Sequence, residues 1–196
     1  KEPEISNEPD QGRRKVLIGL TAGFAAAGVA FAATPFVTTW NPSARAKAIG
    51  SAVKVDVSKM MVGQQIQVSW RKQPILIIRH SPSALSGLTS VISKLADPNS
   101  DSIDEPYKNI NATRSLSSEY SVLSGVCTHL GCSPKYYPEV EPKPWDSSWE
   151  GGFFCPCHGS MFDLVGRVYK GVPAPTNLTV PPHFFEGSIL TIGEEA

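Results

Sequence analysis

Residues 16–37 read VLIGLTAGFAAAGVAFAATPFV, 22 positions without one ionisable side chain. As a helix this run spans about 33 Å, close to the hydrocarbon thickness of a bilayer. Its Ala and Gly content suits a membrane helix that packs closely. Arg13, Arg14 and Lys15 precede it, and Trp40 follows where an interfacial aromatic belongs. Residues 41–52, NPSARAKAIGSA, carry no hydrophobic stripe and read as a flexible tether, with a poorly formed helix continuing the anchor as the alternative. From residue 53 the pattern turns to short β-type runs at 53–57, 65–70, 75–79, 120–126, 152–154, 167–169, 183–185 and 189–192, punctuated by Gly, Pro and Asn. Residues 85–95 are apolar at 85, 88, 91, 92 and 95, the spacing of one small helix. Residues 97–118 are a long polar insertion. The pattern predicts a mainly β, antiparallel sandwich or barrel head with one small helix, behind a single N-terminal transmembrane helix.

Composition sharpens this division. The 196 residues allow one ordinary domain plus an appendage. Lys and Arg number 18 against 18 Asp and Glu, and zero net charge argues against nucleic acid as a partner. Gly and Pro, 16 and 17 in number, favour turn-rich β structure. By the positive-inside rule residues 1–15 form a cytoplasmic tail, 16–40 the anchor, 41–52 the tether and 53–196 an extracytoplasmic domain. The apolar run exceeds the usual 7–15 residues of a cleaved signal peptide, so it reads as an anchor. The Arg13–Arg14 pair also suits twin-arginine export, a route for proteins folded beforehand.

All four cysteines fall in two boxes, Cys127-Thr-His129-Leu-Gly-Cys132 and Cys155-Pro-Cys157-His158-Gly-Ser160. Two thiolates and two imidazoles can hold a [2Fe–2S] cluster, both Cys on one iron and both His on the other. Such a core is neutral when oxidised, whereas four thiolates would leave it doubly negative, so the mixed set takes up an electron more readily. A tetrahedral Zn²⁺ site suits the same donors but leaves a cysteine pair without a role. A thiol oxidoreductase fits less well, because Cys155-Pro-Cys157 has one intervening residue and not two. His80 and His183, outside both boxes, read as structural or surface residues and not as ligands.

CTHLGC followed by CPCHGS resembles the Rieske iron–sulfur subunit of bacterial ubiquinol–cytochrome c oxidoreductases, over anchor, tether, head and boxes. The resemblance implies one Rieske [2Fe–2S] cluster in about residues 121–175, with ligands Cys127, His129, Cys155 and His158 and a Cys132–Cys157 disulfide. It implies that Ser160 bonds a bridging sulfide, that Leu130 and Gly131 lie at a docking tip, and that Gly171, Pro173, Ala174 and Pro175 form a proline loop. It further implies that His158 or His129, ligated through Nδ1, meets quinol through Nε2, so that one electron passes to the cluster and one proton to the imidazole. The implied partners are a cytochrome b subunit with bound quinol, a membrane-anchored cytochrome c subunit and the lipid bilayer, in a dimeric multisubunit complex at the bacterial inner membrane. The head is expected to swing on the 41–52 tether between the two cytochromes.

Two departures stand out. Phe162 occupies a position that is Tyr in mitochondrial-type members, and it cannot donate a hydrogen bond to a ligand sulfur. Val172 is inserted relative to a plain Gly-Pro-Ala-Pro loop. Residues 133–151, with Tyr136, Tyr137, Trp145 and Trp149, exceed a minimal connection between the boxes. Rieske subunits of plastoquinol-type or arsenite-oxidase-like complexes are the nearest alternatives. Rieske ferredoxins and oxygenase components share the ligand spacing but lack the second cysteine pair.

Overall fold

The computed structural model describes residues 10–102, 106–107 and 110–195. The chain divides into two units, Lys1–Lys47 and Ala48–Ala196. In the first, helix α1 runs Gln11–Thr38 and is long and apolar enough to cross a membrane. It starts ahead of the apolar run, inside the segment expected to be a tail. The Asp10 carboxylate accepts from the Gly12 and Arg13 amides at 2.9 and 3.2 Å, and this N-cap fixes the start. Thr21 and Thr34 donate to the Leu17 and Ala30 carbonyls at 2.8 and 2.7 Å, so their hydroxyls are satisfied within the helix. The acidic residues Glu2, Glu4 and Glu8 lie outside the described residues.

The expected tether is partly helical. Helix α2, Ala44–Gly50, forms within it. The Ser43 hydroxyl accepts from the Ala46 amide at 3.1 Å, and Ala, Arg and Lys are good helix formers that need no apolar stripe for about two turns.

In the second unit the described strands are β1 (Val53–Asp56), β2 (Gln65–Trp70), β3 (Gln73–Arg79), β4 (Tyr120–Ser124), β5 (Lys135–Tyr137), β6 (Gly152–Cys155), β7 (Ser160–Phe162), β8 (His183–Glu186) and β9 (Ile189–Ile192). They make three antiparallel sheets, ordered β1-β9-β8, β2-β3-β4 and β5-β6-β7. Strand β3 is apolar without alternation because both of its faces are covered. Ile75 and Ile77 enter a core with Val57, Val122, Leu190 and Ile192 of the β1–β9 side. Leu76 and Ile78 enter another with Leu123, Phe153, Phe162, Cys127 and Cys155. The central sheet is thus sandwiched, and the box-bearing sheet is one outer layer.

Two expectations need correction. The helix expected over 85–95 splits into α3, Pro82–Gly87, capped by Ser81, and a 3-10 turn, Ile92–Lys94. Leu88 packs with Leu164 and Val165, while Val91 packs with Leu95 and Trp149. Two separate cores pull the apolar positions apart. Residues 167–169 make only isolated bridges, Phe162 to Val168 and Leu95 to Tyr169. Strands β5 and β7 were not legible, being three residues each.

Several described residues of the 97–118 insertion turn polar groups inward. Arg114 is buried and donates to the Val165 and Leu178 carbonyls at 2.9 and 2.7 Å. Asn177 Nδ2 donates to the Asp97 carbonyl and to Ser100 Oγ, both at 2.9 Å. Ser115 pairs with His183 Nε2 at 2.8 Å. Ser121 pairs with His80 Nε2 at 2.8 Å and donates to the Thr113 carbonyl at 2.9 Å. These described residues are therefore part of the scaffold under the boxes.

Candidate metal centre

Each box sits in a turn at a strand end. In the first, after β4, the Cys127 amide donates to the Cys132 carbonyl at 2.7 Å and the Gly131 amide to the Cys127 carbonyl at 3.0 Å. Gly131 closes that turn with φ of 83°, the left-handed region that glycine adopts freely. The second box is the β6–β7 hairpin, where Cys155 opposes Ser160 and the Gly159 amide donates to the Cys155 carbonyl at 2.9 Å. At the hairpin base, a Cβ on Gly152 would lie 2.1 Å from the Phe162 carbonyl oxygen, so the close backbone approach requires glycine there. Beyond β7, Asp163 and Arg167 form a buried pair at 2.7 Å. The Asp163 carboxylate also accepts from the Val165 and Arg167 amides at 3.1 and 2.7 Å, so the pair is compensated inside the protein.

A disulfide, Cys132–Cys157, ties the two turns across a sequence separation of 25. In the loop-entropy account a bridge of that span stabilises the fold by about 3.5 kcal/mol. Cys127 and Cys155 are unbridged and buried. The sulfurs of Cys132, Cys155 and Cys157 lie within 4.8 Å of one another, but two of these are consumed by the bridge, so this trio is not a donor set. The His129 and His158 rings meet edge to face with centroids 4.8 Å apart. His158 is exposed and His129 half-buried. Nδ1 of His129 is buried without a hydrogen-bond partner. Burial pushes the Cys127 thiol up and the adjacent Cys155 adds to this, while the His129 amide and the Ser160 hydroxyl pull it back. Two buried soft sulfurs, two imidazoles and an orphaned ring nitrogen fit a thiolate- and imidazole-ligated iron–sulfur group.

Ser160 is fully buried. Its oxygen accepts from the Ala174 amide at 3.0 Å, and its hydroxyl lies near enough to the Cys127 thiol to pull its pKa down. Phe162, also fully buried, shares a core with Cys127, Cys155 and Ala174 and offers no donor. Leu130 is 71% exposed, and Gly131, Gly171, Pro173 and Pro175 are exposed around the turns. Thr128, which sequence reasoning did not single out, donates to the Thr176 carbonyl at 2.7 Å and links the first box to the proline loop. Residues 133–151 cover the outer side of the second box. Trp145 stacks on Phe154 at 4.0 Å with an interplanar angle of 11°. Trp149 donates from Nε1 to the Tyr137 carbonyl at 3.1 Å.

Disulfide-tied turns carrying free Cys and paired His, on a sandwiched antiparallel head, define a Rieske iron–sulfur domain. Residues 51–182 match the Rieske [2Fe–2S] domain family. Residues 3–43 match the family described as "Ubiquitinol-cytochrome C reductase Fe-S subunit TAT signal". The ubiquinol–cytochrome c reductase iron–sulfur subunit of Allochromatium vinosum is 48% identical over 184 residues, 93% of this chain and 89% of that one. Its counterpart in Blastochloris viridis is 39% identical over 96% of each. A chain of a hyperthermophilic respiratory complex III is 27% identical with a TM-score of 0.49, covering 89% of this chain and 98% of that one. The chain belongs to the family of ubiquinol–cytochrome c reductase iron–sulfur subunits.

Proposed function

We infer that this chain is the electron-transfer subunit of a respiratory quinol–cytochrome c oxidoreductase, an oxidoreductase only as part of the assembly. When bound, a Rieske [2Fe–2S] group takes up and releases single electrons at a raised potential. We assign Cys127, His129, Cys155 and His158 as its ligands. The observation that carries this assignment is the buried, unpartnered Nδ1 of His129 beside two unbridged buried thiols. His158, exposed at the tip, presents its outer ring nitrogen to the hydroxyl of a quinol and takes its proton, with His129 as the second candidate. Exposed Leu130 and Gly131 supply an apolar tip for a cytochrome b subunit, and a membrane-anchored cytochrome c subunit receives the electron. The N-terminus lies in the cytoplasm, α1 anchors the chain in the bacterial inner membrane, and the head stands outside in a dimeric complex. The segment 41–52 acts as the hinge, with α2 as a short rigid element inside it.

The test is an EPR spectrum of the purified protein after mild reduction with ascorbate. A rhombic [2Fe–2S] signal of low average g is expected. A signal that needs dithionite would redirect the reading to a ferredoxin or oxygenase component, and stoichiometric zinc without a signal would overturn it.

Phe162 gives a second expected result. Phe162→Tyr adds a phenol beside the core that holds Cys127 and Cys155, and a donor to a ligand sulfur withdraws charge and favours the reduced state. The midpoint potential should rise in redox titration, with a stability cost of about 1 kcal/mol for fitting an extra oxygen into a packed site. A fall or no change would mean that position 162 does not approach a ligand sulfur.

A further inference from the structure

The loop after the second box alternates in exposure. Gly171, Pro173 and Pro175 face solvent, Ala174 is buried, and Val172 is half-buried. Proline has no N–H, so the Ala174 amide is the one backbone donor of 173–175, and it donates to Ser160 Oγ at 3.0 Å. A hydroxyl that accepts there has its single proton left to give, and the Ser160 hydroxyl faces Cys127. Accepting a hydrogen bond also strengthens a hydroxyl as a donor. Phe162 supplies no second donor from the same hairpin, so Ser160 is the side chain that fills this role.

What holds Ala174 in register is visible one step back. Val172 packs against two cores at once. One contains Cys127, Cys155, Phe162 and Ala174. The other contains Val91, Leu95, Trp149 and Tyr169, with Trp145 and Met161 at its edge. The loop is tied at either end by the Lys170 amide to the Lys94 carbonyl at 2.8 Å and by Thr128 Oγ1 to the Thr176 carbonyl at 2.7 Å. Between these ties, Val172 is the side chain that reaches the aromatic core built by the 133–151 segment.

We propose that Val172 is a positioning residue. By wedging the proline loop against the Trp145–Trp149 core, it keeps the Ala174 amide on Ser160 Oγ and so sets the strength of the Ser160 donor toward the ligand sulfur. Val172 and the aromatic segment between the boxes then form one device: the loop residue reaches an anchor that the segment provides. This rests on the ligand assignment above.

The experiment uses the full chain with its cluster and the variants Val172→Gly, Val172→Ile and Ser160→Ala. Val172→Gly should lower hydrogen-exchange protection of the Ala174 amide about tenfold, while the β6–β7 amides keep theirs. At a fixed applied potential its reduced-to-oxidised ratio should fall about threefold, ~30 mV at 59 mV per tenfold for one electron. Val172→Ile should keep both values. In the Ser160→Ala background Val172→Gly should shift the potential no further, because the two act through one hydrogen bond. An undiminished shift in that background overturns the proposal, as does wild-type protection at Ala174 in Val172→Gly. If Val172→Gly fails to fold, Val172→Ala carries the same test with a smaller shift. Absence of the rhombic signal in the wild type would sink the ligand assignment instead, and exchange at Ala174 would still decide whether Val172 positions the loop.

Discussion

Replacing Cys155 by Ser should leave a folded head that binds no iron. Cys155 is buried at the end of β6, unbridged, beside the Cys132–Cys157 disulfide. Only a thiolate is soft and acidic enough to hold iron there; a serine hydroxyl stays protonated near neutral pH. Iron and acid-labile sulfide should fall from two each per chain, as the [2Fe–2S] family requires, to background. The bridge, scored by thiol counting, should remain. Stability should fall too, by about 1–3 kcal/mol for a buried hydroxyl without a dedicated partner, and further because a ligand that binds only the folded chain stabilises it. Full iron retention in Cys155→Ser would overturn the assignment. Iron loss in Cys132→Ser with retention in Cys155→Ser would place the ligands on the other cysteine of each box.

Acid should destabilise the head well above the range where carboxylates titrate. His80 and His183 are buried, and burial pushes both imidazoles down to about 4, with a small opposing pull on His183 from the Pro181 carbonyl. Their neighbours are neutral: Ser121 for His80, and Ser115, Tyr107 and Phe185 for His183. The unfolded chain titrates these rings near 6.5 and the folded chain near 4, so between the two values the unfolded state holds more protons. Their contribution is complete above about pH 6.5, is lost as pH falls, and changes no further below about 4. At pH 5 each ring should have removed about 2 kcal/mol. Urea midpoints measured from pH 7.5 to 5 should fall accordingly, and the slope should flatten in a His80→Gln/His183→Gln variant. A pH-independent midpoint over that range, or an equal slope in the double variant, would contradict the assignment.

These histidines also mark the limit of sequence reasoning. Polar residues in a pattern carry no signal of burial, so 97–118 reads only as a long polar insertion without an assigned role. Arg114 and Ser115 instead reach a buried carbonyl and a buried ring distant in sequence, and the Thr113 carbonyl accepts from the buried Ser121 hydroxyl. The strand at 65–70 was legible because its span matches that of β2, and 75–79 because four successive buried residues leave an unbroken apolar run. Strands β5 and β7 were not, since three residues set no period and pairing with β6 defines them. The boxes were located by local spacing. Their mutual approach, and the bond from Ala174 to Ser160, depend on packing between segments that no single stretch encodes. In the tether the pattern leaves coil and helix open, and a hydroxyl cap with local propensity suffices for α2 where an amphipathic pattern is lacking.

The sandwiched central sheet gives the head a chemically silent side. The β1–β9–β8 layer packs on the far face of β3 from Cys127 and Cys155, and packed β layers stand about 10 Å apart. Substitutions on its outer surface alter neither the sulfurs nor the histidines. Lys54, exposed on β1, is therefore a place to attach a nitroxide or fluorophore that tests whether the head moves during turnover while the redox centre titrates as in the unlabelled protein.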